Sequence, residues 1–299
     1  MDKNHLNFIF WGTPDVASKT LEILKKDGYL PSLIITAPDK PQGRKMILTP
    51  PPVKIWAIEN NIPYIQPEIL SGKDLLLTGV SQADEPRGSA VPAGTDSDPI
   101  KVESLPDLSL VVAYGKIIPE DIINLPKLGS INIHYSLLPK YRGASPVESA
   151  ILNGDKETGI TIQKMEYKMD TGPIIAQEKI EIGNEEKVGE LKTRLIKIGG
   201  DLLVKILPDF IENKITPIPQ EEDSATYCKK IKKEDGLVDL INDSPNSLYN
   251  KFRAYSTWPR TFFFKDNKRI IITDAKLEND KFEILKIIPE GGKEMNYKN

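Results

Sequence analysis

An α/β fold built on a mostly parallel sheet, followed by a small all-β domain, is what the sequence predicts, and three observations lead to it. Short apolar runs alternate with helix-period segments over the first half of the chain. A long amphipathic stripe then ends in a polar, proline-rich bridge, and short strands around one helix follow it. At 299 residues the chain has room for two domains, each with its own core.

The elements follow in order. Residues 6–11 are apolar and stop at Gly12-Thr13-Pro14, and residues 15–26 carry apolar side chains at 16, 17, 21, 23 and 24, which reads as strand, tight turn and helix. Leu33-Ile34-Ile35 is a second strand. The prolines of residues 38–52 exclude a helix there, and helical character returns over 53–60. Strands over 108–113 and 130–133, separated by a helical 119–125, complete the βαβ pattern of a Rossmann-like sheet. Between them, residues 78–106 hold four prolines, three glycines, four serines and no aromatic residue, the composition of a disordered or loosely held insertion.

Residues 159–165 and 173–182 alternate without a helix between them and predict a hairpin-like excursion. Next comes a long helix over 185–211, with Asn184 as N-cap and apolar residues at 188, 191, 195, 198, 202, 203, 206 and 207. Gly199-Gly200 inside it costs about 1 kcal/mol per glycine relative to alanine, so close packing is expected there. The polar residues 216–223 mark a boundary, giving an N-terminal domain 1–212, a linker 213–223 and a C-terminal domain 224–299. In that last domain, strands over 237–241, 261–264, 269–273 and 282–288 around a helix over 247–255 predict a small OB-like β-barrel.

Composition narrows the function. The chain is 39 % hydrophobic and 28 % charged, with 40 Lys and Arg against 43 Asp and Glu, a net charge of −3, which excludes a wholly basic nucleic-acid coat protein. The charge is segregated, however: between Ser224 and Arg269 ten basic residues face five acidic ones, which is either a solvated lysine-rich face or a contact for a polyanion. One cysteine, Cys228, supports neither a disulfide framework nor a cysteine-built metal site. The histidines are His5 and His134. No apolar run reaches the eighteen or so residues of a membrane span, and residues 1–5 carry no leader pattern, so a cytoplasmic protein without a membrane role is expected.

The chemistry concentrates at Ile131-Asn132-Ile133-His134. On a strand, Asn132 and His134 share one face, and polar neighbours inside a parallel sheet need partners. They stand at the C-terminal end of the strand, where ligands of open α/β sheets bind; a satisfied structural pair is the alternative. In the loop that follows, Ser136, Leu137, Leu138 and Pro139 offer backbone polar groups and apolar contact to a planar, amide-rich ligand. Ser145, Pro146 and Glu148 predict a helix start with a capping box. Asp170-Thr171-Gly172 is either a plain turn or a site carboxylate. A single copy does not make an aspartic protease, which needs two carboxylates sharing a proton. Gly12-Thr13-Pro14 lacks the other glycines of a dinucleotide fingerprint.

The run from Ile131 to Pro146, Ile-Asn-Ile-His-Tyr-Ser-Leu-Leu-Pro-Lys-Tyr-Arg-Gly-Ala-Ser-Pro, together with Met169-Asp-Thr-Gly-Pro-Ile174, closely resembles the formyltransferases that use 10-formyltetrahydrofolate. Phe10-Trp-Gly-Thr-Pro-Asp15, Pro38-Asp-Lys-Pro-Gln-Gly-Arg44, Val112-Ala-Tyr-Gly115, Ala225-Thr-Tyr227 and Leu248-Tyr-Asn-Lys-Phe-Arg-Ala254 with Trp258-Pro259 narrow the resemblance to the methionyl-tRNA formyltransferase family. That resemblance implies Asn132, His134 and Asp170 as the catalytic set and Ser136, Leu137, Leu138 and Pro139 as the folate-binding stretch. It implies initiator methionyl-tRNA as partner, met by Lys40, Arg44 and Lys45 and by the basic C-terminal domain, and 10-formyltetrahydrofolate as co-substrate. No metal is needed, and a monomer is expected. The insertion over 78–106 and a chain end short of the final helix depart from the family's pattern. A formyltransferase acting on another amine, such as a sugar nucleotide or glycinamide ribonucleotide, a formyltetrahydrofolate hydrolase, and a non-catalytic tRNA-binding protein are the competing readings.

Overall fold

The computed structural model describes residues 6–43, 45–70 and 105–298. The expected insertion therefore lies almost wholly outside the described residues, as do Arg44 and His5. The chain opens with β1 (Phe8–Gly12), α1 (Asp15–Lys26) and β2 (Leu33–Ile35), then a hairpin of β3 (Lys40–Gln42) and β4 (Ile47–Thr49), α2 (Pro52–Glu59) and β5 (Tyr64–Ile65). The prolines of residues 38–52 thus belong to an exposed hairpin and a helix start, where a missing N–H does no harm. There follow β6 (Leu108–Val112), α3 (Glu120–Ile123), β7 (Ser130–His134), β8 (Arg142–Gly143), α4 (Pro146–Leu152), β9 (Glu157–Lys164), β10 (Ile174–Glu181) and α5 (Val188–Ile211). The remainder is β11 (Tyr227–Cys228), α6 (Pro245–Ala254), β12 (Phe262–Lys265), β13 (Lys268–Glu278), β14 (Lys281–Pro289) and β15 (Met295–Asn296).

The large sheet has the order β10-β9-β7-β6-β1-β2-β5. β1 pairs in parallel with both β2 and β6, and β6 with β7, so the chain leaves β1 toward one edge and later returns on its other side. β9 then runs antiparallel to β7, with Asn132 opposite Gln163 and His134 opposite Thr161. β1 and β6 are buried along their whole length, as parallel strands covered on both faces require. One face closes on Ile9, Trp11, Ile35, Val111, Tyr114, Ile118, Ile122 and Ile123. Each fully buried aliphatic there contributes roughly 1.5–3 kcal/mol. The expected close packing in the long helix is met at Gly200, where a Cβ would stand 2.6 Å from Ile23 Cδ1.

The chain divides into two compact units: one of Met1–His134, Thr161–Gln177 and Ile196–Gln220, the other of Tyr135–Ile160, Glu178–Leu195 and Glu221–Asn299. The second unit holds the antiparallel sheet β12-β13-β14-β15, whose core is Val238, Leu248, Phe252, Phe263, Ile270, Ile272, Ala275 and Ile287.

Three local expectations need correction. α5 begins at Val188 and not at residue 185, because the Glu186 carboxylate accepts from the Gly183 N–H and the Glu190 carboxylate from the Lys187 N–H. Ser145 is the N-cap of α4 but makes no side-chain cap, and Glu148 pairs with Lys192, so there is no capping box. Residues 237–241 form no strand. Leu237 alone bridges Phe262, and Asp239 Oδ1 then accepts from the N–H groups of Ile241 and Asn242, which turns the backbone away.

Candidate active site

β7 carries Asn132 and His134 on one face, two residues and about 7 Å apart along the strand. The histidine is buried and its cross-strand neighbour on β9 is Thr161, whose hydroxyl accepts from Gln177 Nε2 at 2.8 Å. The turn joining β9 to β10 brings Asp170 to this face. Its Oδ1 lies 3.6 Å from His134 Nδ1, with only 13 % of the aspartate and 6 % of the histidine side chain exposed. That is an ion-pair distance, longer than a direct hydrogen bond, as catalytic pairs often are without substrate.

Asp170 adopts φ 55°, a left-handed conformation that aspartate tolerates better than most residues. Gly172 makes the turn possible: a Cβ at that position would fall 1.7 Å from the Lys164 carbonyl oxygen, so only glycine lets the turn close against β9. Two amides then hold it. Gln163 Nε2 donates to Asp170 Oδ1 at 3.0 Å, and Gln220 Nε2 donates to the carbonyls of Asp170 at 2.9 Å and Gly172 at 2.7 Å. Asp170 is therefore a held carboxylate beside an imidazole. A carboxylate behind Nδ1 favours the Nδ1–H tautomer and points Nε2 the other way, the arrangement of an oriented acid–base histidine.

The other expected residues are held by contacts of their own. Ser136, Leu137, Leu138 and Pro139 belong to the second unit. Ser136 is fully buried and its hydroxyl donates to the Lys140 carbonyl at 2.6 Å. The Leu137 carbonyl accepts from Lys140 N–H and that of Pro139 from Thr226 N–H. Arg142, also fully buried, donates to Glu222 Oε2 at 2.9 Å, and β8 pairs with β11. Residues 222–228 thereby hold the loop carrying Ser136, Leu137, Leu138 and Pro139. At Gly143, φ is +121° and a Cβ would meet the Cys228 carbonyl oxygen at 2.3 Å, so this approach requires glycine.

Lys40 and Lys45 stand exposed on the β3–β4 hairpin of the first unit, beside exposed Met46, Ile47 and Leu48. The hairpin is rooted at Asp39, whose carboxyl accepts two bonds from Lys54 Nζ at 2.9 and 2.8 Å and one from Gln66 Nε2 at 2.7 Å. Those bonds, Lys54 first, hold the Asp39 carboxyl below its ordinary value. Among the described residues no cluster of three or more His, Cys, Asp or Glu side chains could share a metal ion.

Sequence reasoning missed Gln163, Gln220, Arg142 and Glu222. A signal existed for Gln163, an amide that alternates with Ile160 and Ile162 and shares a strand face with Thr161; nothing local marks Gln220.

Comparison with known proteins bears on this site. The family described as Formyl transferase matches residues 4–207, and that described as Formyl transferase, C-terminal domain, matches residues 230–289. The methionyl-tRNA formyltransferase of Sulfurihydrogenibium sp. (strain YO3AOP1) is 36 % identical over 272 residues, 91 % of this chain and 80 % of its own length. That of Staphylococcus epidermidis (strain ATCC 12228 / FDA PCI 1200) is 39 % identical over 273 residues, with the same coverage. Among solved structures, an N-formyltransferase of Helicobacter canadensis, in complex with folinic acid and dTDP-3-aminofucose, gives a TM-score of 0.63 at 18 % identity, covering 92 % of this chain and 88 % of its own. A methionyl-tRNA formyltransferase from Clostridium thermocellum gives 0.57 at 19 %, covering 98 % and 100 %. At such identities these two structures establish a shared fold.

Proposed function

From the premise that this chain belongs to the methionyl-tRNA formyltransferase family, we propose that it transfers the formyl group of 10-formyltetrahydrofolate to the α-amine of methionyl-initiator tRNA. The observation that carries the reading is the oriented His134–Asp170 pair beside Asn132, at the carboxyl end of a parallel-sheet strand.

The neutral amine attacks the formyl carbon and forms a tetrahedral species with an oxyanion and a cationic nitrogen. The Asn132 N–H₂ and protonated His134 donate to the oxyanion. Asp170 orients His134 and, directly or through water, takes a proton from the amine. The bond from the formyl carbon to N10 then breaks, N10 gains a proton, and tetrahydrofolate and formyl-methionyl-tRNA leave, with no net proton released. Ser136, Leu137, Leu138 and Pro139 bind the folate. Lys40, Arg44 and Lys45 meet the tRNA, and the basic residues toward the C-terminus hold its phosphates. In the working division, residues 1–212 carry catalysis, residues 213–223 form a linker and residues 224–299 bind tRNA. Among the described residues no helix is long and apolar enough to cross a membrane. A cytoplasmic location and a monomeric enzyme are part of the proposal.

Product analysis with charged initiator tRNA and 10-formyltetrahydrofolate tests this. Formyl-methionyl-tRNA is the expected product. Free formate as the main product would indicate a hydrolase, and turnover only with an amino-sugar nucleotide would place the chain among transferases to other amines.

A further inference from the structure

We propose that Gln220 is a positioning residue for Asp170, so that the polar stretch leading to the C-terminal region of the chain belongs to the catalytic apparatus. The inference rests on Asp170 acting on His134 as read above.

A non-glycine residue at positive φ is strained by an amount of order 1 kcal/mol and persists where its surroundings fix it. Asp170 at φ 55° is fixed from both ends. On the side-chain end, Gln163, 2 % exposed, donates to Oδ1, the same oxygen that faces His134 Nδ1. At the backbone end, the Gln220 carboxamide donates to the carbonyls of Asp170 and Gly172, and its Nε2 also lies 3.3 Å from Gln163 Oε1. An amide N–H₂ has two hydrogens, so the two shorter contacts take them. The result is one connected chain, from the Gln220 amide to the Asp170 backbone, and from the Gln163 amide to the Asp170 carboxylate and on to His134.

Gln220 is itself held. Ile218 exchanges both backbone hydrogen bonds with Ile174 on β10, at 2.7 and 2.8 Å, so a β-bridge two residues before Gln220 ties this stretch to the strand that follows the turn. A turn that only had to close would not need one amide on its carboxylate and a second on its backbone. A displacement of the carboxylate by about 1 Å is enough to slow catalysis by about 10²-fold while leaving substrate binding intact.

A double-mutant cycle on the full chain tests the proposal, with Gln220→Met, Asp170→Asn and the pair, reading kcat, both KM values and thermal stability. Methionine keeps the length and removes the donors, and asparagine tolerates the left-handed conformation. Gln220→Met should lower kcat by about 10- to 10²-fold with both KM values unmoved. In the Asp170→Asn background it should cause no further loss, because both changes act on one group. A merely structural role would lower stability in both backgrounds without this coupling. If Asp170→Asn is slow but Gln220→Met retains wild-type kcat, or if their losses multiply, the inference is overturned and the role of Asp170 stands. Near-wild-type activity in Asp170→Asn would overturn both. If Gln220→Met folds poorly, Gln220→Asn, which keeps the amide but is too short to reach the turn, must show the same non-additive loss, and wild-type kcat in that variant overturns the proposal.

Discussion

At the scale of single residues, His134 and Asp170 are a buried pair whose separation of 3.6 Å leaves room for tightening when substrate arrives. Asn132 is the simplest residue to test beside them. If its amide donates to the oxyanion, it acts in the transition state and not in binding. Asn132→Ala should lower kcat by about 10²- to 10³-fold at unchanged KM for both substrates. A raised KM with unchanged kcat would assign Asn132 to ground-state binding. The pairing of Asn132 with His134 was legible from alternation in a four-residue string, since strand geometry fixes which side chains share a face. The amide partners of Asp170 were not: Gln163 meets it because the turn after β9 folds back on that strand, and Gln220 reaches it from 50 residues further along the chain.

At the scale of elements, the β3–β4 hairpin shows how a segment whose prolines exclude a helix acquires a fixed base. Asp39 carries its three hydrogen bonds as a carboxylate, and its folded value lies below the ordinary one. A carboxyl depressed in the folded state contributes stability that is present above its unfolded value, about 3.9, and is lost as the pH falls through the lower folded value. Asp39→Asn should therefore lower the melting temperature at pH 7, with a deficit that shrinks as the medium is acidified below about pH 4. A deficit independent of pH would show that Asp39 works by shape alone. The helices and strands of the large sheet were legible because their periodicities differ and their ends carry prolines and glycines. The failures have two causes: Glu148 leaves its expected cap for the distant Lys192, whereas Asp239 bends a strand-like run by accepting from its own neighbours Ile241 and Asn242.

At the scale of the whole molecule, net charge alone misleads. A chain of −3 concentrates ten basic against five acidic residues between Ser224 and Arg269, in a region largely matched by the C-terminal formyl transferase family. Segregated charge attracts a polyanion locally without making the whole protein basic, and such an attraction weakens with salt. The division into compact units was not legible in the sequence: the second takes in residues 135–160, which follow His134 directly, because residues 222–228 return to hold that loop. Linear order hides such a return. The central claim is that one histidine, backed by one carboxylate, carries formyl transfer on a scaffold that binds tRNA through other residues. The most direct test is single-turnover formylation by wild type and His134→Ala, with tRNA affinity measured on the same preparations. The account predicts a rate lower by about 10² to 10⁴ with unchanged tRNA affinity; a variant that formylates at close to the wild-type rate would contradict it.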